Sequence, residues 1–63
     1  MENCMEVKKD LAEIIQRKTQ WDASKAYSWL NSYNKNLGEA PDALIRKNQS
    51  KKVLEFIKTN SLQ

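Results

Sequence analysis

The sequence has no histidine, one cysteine, one glycine and one proline in 63 residues. Each shortage closes off a class of chemistry. Without histidine there is no Ser-His or Cys-His couple and no recognisable zinc set, and a single thiol, Cys4, cannot close an internal disulfide. One glycine, Gly38, cannot build a phosphate-cradling loop. Long apolar runs are missing as well. The longest is three residues, Ala43 to Ile45, and the first residues, Met-Glu-Asn-Cys-Met-Glu, are acidic rather than basic. No transmembrane segment or signal peptide is expected, and a lone thiol without an export signal fits the reducing cytoplasm. Cys4 reads as a small apolar residue near a helix start rather than as a reactive thiol.

What is present is charge of both signs. Eleven Lys and Arg face eight Asp and Glu, a net charge of +3, and the pI is near 9.2. The excess is mild: it permits contact with nucleic acid or an acidic protein surface and requires neither. The carboxylates are scattered, all but Glu2 with a basic residue within about four positions, a pattern of solvated ion pairs rather than of acid-base catalysis. The expectation is a non-enzymatic protein with no cofactor and no metal. A domain this short buries only about 60% of its unfolded surface, so a partner or a second copy is the expected support.

Scarce glycine and proline leave helices to dominate, and the spacing predicts an all-α fold, a compact array of about four short helices in one domain. Cys4, Val7, Leu11, Ile14 and Ile15 share a face, which makes residues 1–20 an amphipathic helix fraying near Lys18 and Thr19, with Glu13 and Arg17 spaced for an ion pair. Asp22 suits the cap of a second helix running to about Tyr33, with Ala23, Ala26, Tyr27, Leu30 and Tyr33 on one face and Trp29 at its margin. The stretch 34–38 breaks it. Pro41 opens a short third helix ending at Arg46 and Lys47. Ser50 is expected to cap a fourth, in which Val53, Leu54, Phe56 and Ile57 face inward and Asn60-Ser61 loosens the end.

Most aromatic residues read as core. Trp21, ahead of its helix rather than on an inner face, is the candidate interface anchor. The second half is the more basic: Arg46, Lys47, Lys51, Lys52 and Lys58 follow Glu39 and Asp42, with only Glu55 among them. They form a candidate positive patch, although a solvated face is the commoner explanation of such charge. The patch suits a protein partner, or alternatively a nucleic acid, although no aromatic or glycine-rich nucleic-acid motif interleaves with it.

The run Ala26-Tyr27-Ser28-Trp29-Leu30-Asn31, then Asn34 and Asn36, Leu37-Gly38-Glu39-Ala40-Pro41, Leu44-Ile45, and Val53-Leu54 with Ile57 resembles the toxin-binding domain of Xre/MbcA/ParS-type antitoxins over about residues 21–59. The resemblance implies a helical module that binds and blocks a toxin enzyme, typically one of the RES type that acts on nicotinamide dinucleotide, and that often self-associates. Family members usually carry a helix-turn-helix domain ahead of this module; residues 1–20 read as one helix only, so none is expected here. A phage or mobile-element inhibitor of a host protein is the related expectation.

Overall fold

In the first helix, α1 (Cys4–Thr19), the side chain of Asn3 accepts a hydrogen bond from the Met5 N–H at 2.8 Å, satisfying one free donor of the first turn. The computed structural model describes residues 3–60 and Leu62. Glu6 in the first turn and Arg17 and Lys18 in the last match the helix dipole. At the other end Gln20 adopts the left-handed conformation, φ 68°, and its N–H returns to Gln16 O at 2.8 Å. The helix therefore ends sharply instead of fraying. Thr19 is buried, donating its hydroxyl to Ile15 O at 2.7 Å and accepting from the Trp21 N–H at 3.2 Å. Leu11, Ala12 and Ile15 are buried, Val7 and Ile14 half-buried, and Cys4 exposed. Glu13 and Arg17 do not form the ion pair that their spacing suggests.

The second helix, α2 (Ala23–Asn31), is capped as expected: Asp22 Oδ1 accepts from the Lys25 N–H at 2.8 Å. It stops two residues short of the expected end. Ser32 is extended, φ −96° and ψ 148°, and its hydroxyl donates to Ser28 O at 2.7 Å. Tyr33 thereby leaves the helical register and lies 73% exposed, and Ala23 is exposed too, so the inner face reduces to buried Ala26 and Leu30 with half-buried Tyr27 and Trp29.

Pro41 opens α3 (Pro41–Arg46), where its missing N–H costs no hydrogen bond. The helix closes on a Schellman turn: Asn48 takes φ 64°, its N–H reaches Ile45 O at 3.1 Å, and the Gln49 N–H reaches Leu44 O at 2.8 Å. That turn explains why Gln49, not Ser50, is the N-cap of α4 (Ser50–Thr59): the chain leaves the turn at Gln49, so Ser50 is already helical, and no side chain caps the helix. Val53 and Ile57 are buried, Leu54 and Phe56 half-buried. Ser61 lies outside the described residues.

The described residues form these four helices and no β-strand, with one isolated antiparallel bridge between Asn34 and Glu39. The core combines Leu11 and Ile15 of α1, Leu30 of α2, Leu44 and Ile45 of α3, and Val53 and Ile57 of α4, with Ala12 and Ala26 allowing close approach. Each fully buried aliphatic side chain contributes roughly 1.5–3 kcal/mol. Helix α1 packs on the other three, and α3 on α2 and α4. The Cα radius of gyration is 10.5 Å, close to the roughly 11 Å of a packed chain this long. Two lysines tie the array together. Lys8 bridges α1 to Asn31 of α2 and to Asp42 of α3, while Lys18 donates to the carbonyls of Ile57 and Asn60 at the C-terminal end of α4. No helix is long and apolar enough to cross a membrane among the described residues.

Candidate binding groove

The segment that leads from α2 to α3 is held by one residue. The Asn34 side-chain oxygen accepts from the N–H groups of Asn36 at 2.9 Å and Leu37 at 3.2 Å. Its backbone oxygen accepts from Leu37 at 3.1 Å and Gly38 at 2.9 Å, and its N–H donates to Glu39 O at 3.3 Å. Asparagine suits this role because its side chain mimics a backbone turn. Gly38 takes φ 79°, a conformation a side chain would strain. The result is a fixed loop, 34–39, that presents Leu37 at its edge.

This loop forms one wall of an open groove of about 840 Å³, and α4 forms the other. Leu37, Leu44 and Phe56 supply its apolar surface. Phe56 is held from behind by Trp29, the ring centroids 6.1 Å apart and the planes 25° from parallel. Such pairs add about 0.5–1.5 kcal/mol beyond area burial, so this part of the groove is braced by α2. Along the rim stand Lys51, Lys52, Glu55 and Glu39. The Glu39 carboxylate is already engaged, 2.7 Å from Lys47 Nζ. Lys51 and Lys52 are exposed and form no ion pair with any described residue.

The six residues singled out from sequence are thus divided. Lys51 and Lys52 line the groove, and Lys47 reaches its edge through Glu39. Arg46 is turned to Asp42, with Nε 3.1 Å from Oδ2. Lys58 is exposed on α4 outside the groove. Trp21 sits at the α1–α2 turn, half-buried, with the Lys25 ammonium 4.7 Å above its ring. Sequence reasoning did not find Leu37, Leu44 and Phe56 as a surface. The one local signal was an apolar residue, Leu37, beside the turn-forming Gly38.

A smaller depression of about 320 Å³ follows the seam of α1 and α4, where Val7, Ile14 and Leu54 meet Asp10 and Lys51. Every buried side-chain polar atom among the described residues has a partner, and no three metal-ligating side chains gather there. Most residues of the antitoxin-like pattern serve the fold: Leu30, Leu44, Ile45, Val53 and Ile57 are core, and Gly38 and Pro41 shape the connection; Asn36, Leu37, Glu39 and Leu44 also line the groove, and Trp29 supports it through Phe56. Comparison with protein-family models, with curated proteins and with solved structures finds no match to this chain.

Proposed function

We propose that the chain is a non-enzymatic interaction module that binds a partner protein and inhibits it by covering a functional surface. The observation that carries this reading is the braced groove of Leu37, Leu44 and Phe56 beside Lys51 and Lys52, which form no ion pair among the described residues. Protein interfaces concentrate their energy in an apolar or aromatic centre surrounded by a polar rim, and this groove has both parts. The resemblance of residues 21–59 to an antitoxin's toxin-binding domain supports the same reading and suggests an enzyme toxin or a host enzyme as the partner. Capture of binding proteins from a lysate of the native host, followed by an activity assay of the captured protein with and without the purified chain, tests it. Loss of the partner's activity on titration is the expected result, and a partner that retains full activity when saturated contradicts inhibition.

The second reading, a small nucleic-acid-binding protein, is favoured by one observation: Lys51, Lys52 and Lys58 are all exposed and unpaired among the described residues of α4. Phosphate contacts would make affinity fall steeply with salt, whereas an apolar protein interface depends on salt weakly. Absence of any DNA or RNA complex at low salt removes this alternative.

A further inference from the structure

Resting on the reading of the chain as a protein-binding inhibitor, we infer that the groove takes a short acidic segment of the partner. One large apolar side chain of that segment seats against Leu37 and Phe56, and its flanking carboxylates pair with Lys51 and Lys52. The charge arrangement selects this occupant. Of the two rim carboxylates, Glu39 is neutralised by Lys47 at 2.7 Å, which leaves Glu55 alone against two lysines that form no ion pair among the described residues. A basic segment would meet Lys51 and Lys52 as like charges. An uncharged one would leave both without partners.

The apolar surface argues for a side chain rather than a nucleobase. Bases stack on open aromatic faces, but Phe56 is half-buried and faces Trp29 in a near-parallel stack, while the exposed Tyr33 is not part of the groove. Half-buried Leu37 widens the apolar surface with an aliphatic group over a floor closed by the buried Leu44, which suits a Leu or Phe anchor. Because the loop is pinned through Asn34, the site is preformed and little ordering of this chain opposes binding.

The test is titration of the full, isotopically labelled chain, followed by amide NMR, with blocked peptides: Asp-Leu-Phe-Glu-Asp, its counterpart with lysine for every acid, and its counterpart with alanine for Leu-Phe. The acidic apolar peptide should shift the amides of Leu37, Lys52 and Phe56, and each counterpart should bind about tenfold more weakly. The doubly reversed variant Lys51→Glu with Lys52→Glu, altered only at exposed positions, should weaken the acidic peptide by at least about tenfold and favour the basic one. Equal binding of acidic and basic peptides, or shifts confined to the α1–α4 seam, overturns the inference. So does a short single-stranded oligonucleotide that binds these residues more tightly than the peptide, with a steep salt dependence. A partner captured from lysate that binds the reversed variant unchanged overturns the acidic occupant while leaving inhibition standing. A partner that is bound through the groove without loss of activity does the opposite.

Discussion

The Lys8 ammonium lies 3.2 Å from the Asp42 carboxylate, joining the first helix to the start of the third, with both side chains 21% exposed. Lys8 also donates to the Asn31 side chain at the end of α2, and Asp42 also holds Arg46. One partly shielded ion pair therefore fixes three helices. Asp42→Ala should lower unfolding free energy by about 1–2 kcal/mol, since it removes two ion pairs and a favourable acid in the first turn of α3. A double-mutant cycle with Lys8→Ala should give a coupling of about 0.5–1 kcal/mol that shrinks in high salt. Urea denaturation at two ionic strengths measures it, and a coupling of zero would show that packing alone sets the geometry.

Gln20 ends α1 with φ 68° and an exposed side chain. The left-handed conformation costs a residue with a Cβ roughly 1–2 kcal/mol, and glycine avoids that cost while adding freedom to the unfolded chain. Gln20→Gly should stabilise by about 0.5–1 kcal/mol, a rise of several degrees in Tm for a domain this small. Gln20→Val should do the reverse. Thermal unfolding followed by circular dichroism checks both.

Thr19 places one hydroxyl between Ile15 O and the Trp21 N–H. Thr19→Val keeps the shape and removes both hydrogen bonds, leaving the Trp21 N–H without that acceptor. The expected cost is about 1–2 kcal/mol. Because the lost bond is at Trp21, a change in tryptophan emission should accompany the drop in stability; unchanged emission would place the cost elsewhere.

Lys51 and Lys52 occupy the first turn of α4, where the helix dipole favours acids and where no side chain provides a cap. Replacing either with glutamate should stabilise the folded chain by about 0.3–1 kcal/mol and weaken partner binding. Opposite signs in denaturation and binding assays are the signature of residues kept for recognition. A loss of stability together with a loss of binding would mean that these lysines serve the fold.

The number and order of the helices were legible from local signals: Asp22 as a cap, Gly38 in a left-handed turn, Pro41 at a helix start, and the apolar spacing of Leu11, Ile15, Val53 and Ile57. What was not legible depends on contacts distant in sequence or on competition between neighbouring groups. Tyr33 has the spacing of an inward residue, yet the Ser32 hydroxyl and extended backbone end the helix first. Ser50 has the chemistry of a cap, but the turn at Asn48 places Gln49 there instead. Ala12 and Thr19 are too small or too polar to register as core, and they are buried because α1 has neighbours on several sides. The groove itself was invisible for a related reason. Leu37, Leu44 and Phe56 become a surface only when α3 and α4 fold back on the loop, and the Trp29 stack that braces Phe56 joins residues far apart in the chain.

Among the described residues, walls, floor and rim of the groove come from the segment 36–60, while α1 supplies none of its lining and instead anchors the far end of α4 through Lys18. The molecule thus divides its labour along the chain. Its first helix acts as a splint, and, on the proposed function, its second half carries the recognition surface. On that reading, exposed positions of α1 such as Glu6, Glu13 and Arg17 should tolerate recoding or a label without altering binding, whereas a change of register anywhere between Asn34 and Phe56 should rewrite the message itself.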